Sequence, residues 1–373
     1  MRKSSVIALL ICSFISFNAH SVEFTLFGDV VFKDTDAESN SNTFNLGGFN
    51  LIANQEIGKD TAVNAEVVFE DAGHGFEVDV ERFAVTRNFS PMINFGMGRF
   101  HTHLGIWNQN FHHGSLIQDT ITRPFFLEFE DAHGGIFPNH LVGLVVSGES
   151  DKWGYQLGYG NSNGINTVGA ESHPEETSLE VINNSDPSDE KTVVVRFNYQ
   201  PNSFLDEIGV FFMHNHVVEL GEADGADIPF IERGEVLFEQ KLLGLDLRYT
   251  GEKFYSFFEL FHTTIDDNQD IVDPATTPLT PSPDSYASLA YYFQLGFHMT
   301  DSLSLIGRYE SLDYDSDATY FQLLHTPPEE RYVFAVNYKL QESNAVRFEF
   351  SRADIEDEDS ETSLAVQWFF ILL

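Results

Sequence analysis

Between Gly98 and Phe137 the chain reads GRFHTHLGIWNQNFHHGSLIQDTITRPFFLEFEDAHGGIF, and this stretch holds five of its fourteen histidines. His101 and His103 stand two apart, His112 and His113 are adjacent, and His133 follows, with Asp119, Glu128, Glu130 and Asp131 among them. Imidazole with carboxylate is a donor set for zinc, copper or nickel. No pair within the stretch has the i, i+4 spacing of a helical zinc motif, and adjacent histidines cannot easily ligate one ion together. Two readings of these five therefore stand: a metal site, or loop histidines held by hydrogen bonds. The stretch has neither strand nor helix periodicity, so its meaning depends on the elements that flank it.

Those elements begin after an export signal. Met1-Arg2-Lys3 is a short basic region, VIALLICSFISF (Val6 to Phe17) is an apolar run, and small residues precede a cleavage expected after Ser21. Cys12, the single cysteine, lies within that signal, so the expected mature chain has neither disulfide nor thiolate metal site. Removing the signal leaves 18 basic against 58 acidic residues, a net charge of −40. A field of that sign excludes nucleic acid as a partner and argues against anionic substrates. Beyond the signal no apolar run approaches the roughly 20 residues of a membrane helix. Yet the chain holds 36 Phe and 13 Tyr. An exported, aromatic-rich chain of this kind fits a transmembrane β-barrel.

Period-two patterning agrees. In ETSLAVQWFFILL, Leu364, Val366, Trp368, Phe370 and Leu372 form one apolar face. In NAVRFEFSR, Val346, Phe348 and Phe350 alternate with Arg347, Glu349 and Ser351. A helical reading would scatter the charges into the core, so strands are expected, with apolar residues outward and polar residues inward. Sixteen segments are expected at 23–33, 43–57, 62–69, 78–89, 91–99, 139–149, 152–160, 192–199, 206–218, 235–249, 254–263, 285–297, 303–313, 331–340, 344–352 and 361–371. Their connections alternate between tight turns such as GKDT (58–61) and long loops, the longest being residues 100–138. An all-β transmembrane antiparallel barrel follows, with short turns on the periplasmic rim and long loops on the outer one. An even strand number closes it without an exposed edge.

This pattern, with the aromatic-ended last segment SLAVQWFF, resembles the sixteen-stranded outer-membrane porins of Gram-negative bacteria. The chain departs from them by running on through Ile371, Leu372 and Leu373. The resemblance implies outer-membrane localisation, passive diffusion of small hydrophilic solutes and a possible homotrimer. It also implies that the third outer loop, 100–138, folds into the lumen as the constriction. Asp119, Arg123, Glu128, Glu130 and Asp131 would then line the constriction, opposite Arg82, Arg196, Arg248, Arg308, Arg347 and Glu349 on the wall. Either a transverse field or simple solvation of a wide lumen follows from those charges, and net charge predicts cation preference in both cases.

Enzymatic chemistry is not expected. His113-Gly-Ser115 resembles the His-x-Ser of outer-membrane phospholipase, but Leu116-Ile117 stands where that motif has Asn-Gly, and the strand count is too high. Acidic loops DDNQDIVD (266–273) and DIEDEDSE (354–361) could bridge Ca²⁺ or Mg²⁺ to lipopolysaccharide phosphates, or serve solubility. The alternative function is a closed barrel whose acidic loops act in adhesion or divalent-metal binding.

Overall fold

Segments that alternate at period two and turn tightly at one end build an antiparallel sheet, and in the computed structural model that sheet closes on itself. The structure describes residues 22–36, 42–71, 76–112, 117–129, 135–167, 178–201, 204–221, 233–267, 285–316, 318–324, 328–355 and 360–372. The expected signal at 1–21 therefore lies outside the described residues, as do the centres of both acidic loops.

In chain order the strands are β1 (Glu23–Thr35), β2 (Thr43–Ile57), β3 (Thr61–Asp71), β4 (Phe76–Ser90), β5 (Ile93–His101), β6 (His140–Glu149), β7 (Trp153–Asn161), β8 (Asn163–Ile165) and β9 (Glu180–Val181). There follow β10 (Lys191–Tyr199), β11 (Glu207–Glu219), β12 (Val236–Thr250), β13 (Phe254–Asp267), β14 (Ser285–Thr300), β15 (Leu303–Asp313), β16 (Glu330–Gln341), β17 (Asn344–Asp354) and β18 (Glu361–Ile371). Sixteen of these, all except β8 and β9, form an up-and-down circuit in which β7 pairs with β10 and β18 pairs with β1. The terminal pairing runs in register from Phe27–Ile371 to Thr35–Ser363, which removes the last open edge.

Each barrel strand lies over one expected segment; the β2 and β18 bounds coincide with it, and β13 runs on as far as Asp267. Between β7 and β10 lie two short strands, β8 and β9, that no expected segment covers. In the β10–β11 pairing Val193 opposes His214, and β11 continues beyond that ladder. Its end, Val217–Glu219, would be an exposed edge; β8 pairs with it in parallel, and β9 pairs with β8.

The outward face is an apolar band. Val346, Phe348 and Phe350 on β17, and Leu364 and Trp368 on β18, point away from buried Arg347, Glu349 and Gln367. Aromatic pairs collect near the tight-turn rim, where Trp153 stacks on Phe197 at 6.1 Å, Phe204 on Tyr249 at 4.6 Å, and Phe254 lies 4.8 Å from Phe297. Tyr309 sits between Tyr291 and Tyr332, at 6.0 and 5.0 Å, towards the other rim. Girdles of this kind flank the band of a transmembrane barrel.

Polar-inward patterning fails on one side of the barrel, a second correction. On β11–β14 both faces are apolar: Phe211, Met213, Leu242, Phe261 and Tyr292 are buried while Phe212, Leu243 and Phe293 are exposed. The reason is that the inner face there packs against protein rather than water.

Leu243 occupies the middle of β12 on the exposed face. Leu243→Arg is expected to destabilise the barrel by about 2–4 kcal/mol, the range for a cation on the lipid face near the midplane. Urea titration of unfolding in lipid vesicles measures it.

Candidate functional site

The segment between His101 and His140 makes contacts all around the circuit. His112 reaches Glu81 on β4, Trp107 reaches Glu259 on β13, Phe125 reaches Glu310 on β15, and Thr122 reaches Glu349 on β17. Only a segment inside the barrel can touch strands on opposite sides of it. Its described parts include one helical turn, α1 (Trp107–Asn110), and a 3₁₀ turn at Phe125–Leu127. From above, the short helix α2 (Thr319–Leu323) places Tyr320, whose hydroxyl donates to the Ile136 carbonyl at 2.8 Å.

A loop led through a lumen needs partners for its backbone N–H groups. Wall carboxylates supply them. Glu259 accepts from the Trp107 N–H at 2.6 Å, Glu310 from the Phe125 N–H at 2.7 Å, and Glu349 from the Ile121 N–H at 2.6 Å and the Thr122 hydroxyl at 2.7 Å. Gly105 makes the first contact possible: its φ is +69°, and an added Cβ would fall 1.7 Å from Glu259 Oε2. Arg308 joins one of these carboxylates to the loop, donating to Glu310 at 2.7 Å and to the Thr122 carbonyl at 2.8 Å. Its guanidinium also lies 5.2 Å from the Trp107 ring centre.

Apolar packing completes the attachment. Phe126 and Phe137 lie 5.7 and 5.3 Å from Phe261, and Trp107 meets Tyr292 edge-on at 5.8 Å. Each such buried side chain contributes about 1.5–3 kcal/mol. The loop therefore fills the lumen against β11–β16 and leaves space on the other side. There a cavity of about 350 Å³ is lined by Asp29, Asn50, Gln118, Gln367, Glu81, Arg123 and Glu128, among others. A second cavity, of about 210 Å³, shares Glu81 and Phe129 with it and reaches Asp79, Arg99 and His140.

The residues singled out from sequence divide between these environments. Arg123 and Glu128 line the larger cavity; Arg123 lies 3.9 Å over the Phe129 ring, and burial raises the Glu128 carboxyl above its ordinary range against the pull of Arg123. Asp119 instead faces the wall, accepting from Tyr255 at 2.5 Å and Asn337 at 3.3 Å. Glu130, Asp131, His113 and His133 lie outside the described residues.

On the wall, Arg82, Arg196, Arg248 and Arg308 are ion-paired with neighbouring wall carboxylates. Arg82 binds Glu66 at 2.8 Å, Arg196 binds Glu207 at 2.7 Å and Asp246 at 2.8 Å, Arg248 meets Glu207 at 3.4 Å, and Arg308 binds Glu310. Arg347 donates to Gln367 at 2.8 Å, and Gln367 donates in turn to Asp29 at 2.8 Å.

Histidines separate likewise. His103 stacks on Phe100 at 5.8 Å, and burial, aided by the Arg196 charge, holds its imidazole down at about 4. His101 and His112 come together with His140, whose ligating atoms lie within 4.8 Å of one another. Glu81 Oε2 stands 2.6 Å from His140 Nε2 and 3.2 Å from His112 Nε2. Burial first, then the neighbouring His140, keeps the His112 imidazole well below its ordinary pKa.

Sequence reasoning missed Glu81, His140, Glu259 and Glu310. Two signals were present. His140 opens the strand whose pairing with β5 sets it directly opposite His101. Glu259 sits at the inward parity of FYSFFELFHTTI, a lone carboxylate on an otherwise apolar face.

No family model matches this chain, and no curated protein matches it either. Solved structures do. A loop-deletion variant of OmpT, an outer-membrane protein of Vibrio cholerae, is 13% identical with a TM-score of 0.60, over 94% of this chain and 99% of that one. OmpF of Salmonella typhi, solved with daunomycin, is 8% identical with a TM-score of 0.62, over 94% and 97%. The outer-membrane channel DcaP of Acinetobacter baumannii is 10% identical with a TM-score of 0.57, over 94% and 97%. The chain therefore has the sixteen-stranded fold of the outer-membrane porins.

Gly105→Ala is expected to displace α1 from the wall while leaving the barrel closed. Chymotrypsin should then cleave within 102–129 at least about tenfold faster than in the unaltered protein, since cleavage samples the locally opened state. Gel mobility of the unheated protein checks that the barrel itself is intact.

Proposed function

We propose that this protein is an outer-membrane channel for passive diffusion of small hydrophilic solutes, with a preference for cations. The observation that carries the reading is the off-centre seating of the described parts of residues 102–139 inside the closed barrel, which leaves a cavity bordered by Asp29, Glu81, Arg123 and Glu128 rather than a filled interior. In this proposal the loop narrows the path, and solutes pass along β1–β4 and β18.

Cation preference rests on the groups facing that space. Asp29, Glu81 and Glu128 line it, with Arg123 as the basic side chain among the lining residues. Wall arginines paired to Glu66, Glu207, Asp246 and Glu310 add little uncompensated positive charge to oppose them. A mature net charge of −40 attracts cations at longer range. A transverse field, with Arg123 lining the same cavity as Asp29 and Glu81, would orient polar solutes.

Outer-membrane placement is supported by the apolar band, its aromatic girdles and the export signal read from sequence. A homotrimer belongs to the same proposal, since one solved form of OmpT from Vibrio cholerae is a trimer.

In planar bilayers the refolded protein should give discrete ohmic conductance steps, with a reversal potential shifted towards the cation in a salt gradient. Silence at high protein would overturn the channel reading. Removing residues 105–135 should raise the step size at least about twofold if the loop narrows the lumen; an unchanged step would show that it does not. The triple change Asp29→Asn, Glu81→Gln and Glu128→Gln should move the reversal potential towards zero, because rings of fixed carboxylate set cation selectivity.

A further inference from the structure

Two clusters among the described residues bring ligating atoms close enough to share an ion: His101, His112 and His140 inside, and His214, His216 and Glu239 further along the circuit. In the second, Lys241 Nζ already stands 2.9 Å from Glu239 Oε1, so an ammonium occupies the carboxylate. Among the described residues no lysine or arginine is ion-paired to Glu81, the carboxylate beside the first cluster.

We propose that His101, His112, His140 and Glu81 form a binding site for a divalent transition metal of the zinc class, which fastens the luminal loop to the ends of β4, β5 and β6. Imidazole nitrogens with one carboxylate oxygen suit zinc and its nickel and copper neighbours, and disfavour calcium and magnesium, which take oxygen ligands.

The hydrogen bonds around His112 point to a cation. The Asn108 side-chain amide donates from Nδ2 to the carbonyls of Thr102 and Asn139, each at 2.8 Å, which leaves Oδ1 as the atom facing His112 Nδ1 at 2.8 Å. An amide oxygen accepts only, so Nδ1 carries the proton. In the neutral ring Nε2 then presents a lone pair, and that lone pair faces the Glu81 carboxylate at 3.2 Å. Two acceptors at that distance repel unless something positive lies between them. A proton shared with Glu81 would satisfy that contact alone, whereas a metal would also take the ring nitrogens of His101 and His140. A metal ion satisfies Nε2 and the carboxylate together, with Nδ1–H donated to Asn108 as in metal-ligating histidines generally.

Position and access fit as well. All four side chains are buried, which excludes competing bulk water from most of the coordination sphere. The ligands come from four separate segments, so the site exists only in the folded chain. The larger cavity reaches His112 and Glu81, and the smaller reaches Glu81 and His140, giving an ion a path from either side. Zinc bonds of about 2.0–2.2 Å set tetrahedral donors about 3.4 Å apart. Atoms now within 4.8 Å of one another reach that spacing through side-chain shifts of about 1 Å.

The site does not depend on the channel reading, and its test uses no conductance. Refolded full chain in detergent, stripped with chelator, is titrated with zinc against a chromophoric competitor, and cobalt absorption reports coordination. One tightly held zinc per chain is expected, with the intense visible bands of tetrahedral cobalt. His112→Gln and His140→Ala should each weaken binding at least about 100-fold, and Asn108→Ala about 10–100-fold as an outer-shell partner. The double change His214→Ala and His216→Ala should leave it unaltered. Zinc-edge absorption of the unaltered protein should show three imidazoles, which settles the matter even where a variant fails to fold. No stoichiometric zinc, binding that follows His214 and His216, or fewer than two imidazoles at the metal would each overturn the proposal.

Discussion

Acceptance of loop backbone N–H groups by three wall glutamates is the interaction on which the interior of this barrel depends. A segment crossing a lumen with only short helical turns of its own must satisfy its remaining peptide groups with water or protein. Glu259, Glu310 and Glu349 take the Trp107, Phe125 and Ile121 N–H groups at 2.6–2.7 Å. At the arginine-paired Glu310 the acceptor is charged, and such hydrogen bonds are about twice as strong as neutral ones. Burying a carboxylate is costly unless it is paired. The loop N–H groups, Tyr292 and the arginines Arg308 and Arg331 provide the pairing.

From that anchoring follows the asymmetry of the interior. Once the loop is held against β13–β17, its aromatic residues face the inner wall, and an apolar inner face becomes favourable there. Phe261 meets Phe126, Phe137 and Phe211, a contact set that a water-filled lumen would never stabilise. The opposite arc keeps its polar residues, which border the cavity. One barrel wall therefore behaves as the core of a soluble protein and the other as the lining of an aqueous space. The boundary between them runs through Glu81 and Phe129, which border both cavities.

Much of this was legible in the residues. Period-two alternation in segments such as NAVRFEFSR marks a strand wherever one face is lipid and the other polar, and the bounds of those strands were readable to within a few residues. Alternating short and long connections indicated the closed circuit, and the histidine-rich stretch stood out by its lack of period. Less legible were β11–β14, where both faces are apolar and periodicity weakens. The short strands β8 and β9 were not legible at all, because they arise from an edge that appears only once β11 outruns β10. Of the site, Arg123 and Glu128 were found by charge. Glu81 and His140 were missed because they stand on regular strands, where they read as ordinary inward or terminal residues.

By itself the sequence determined the all-β class, the number of barrel strands and the order of the circuit. Those are consequences of local period and of loop length, both of which a linear chain displays. Tertiary structure alone decided where the loop lies within the lumen, which wall charges pair with one another and which histidines meet. His101, His112 and His140 converge because β5 and β6 are paired in one register and the loop folds back between them. Such convergence depends on closure of the barrel, a condition no stretch of sequence contains.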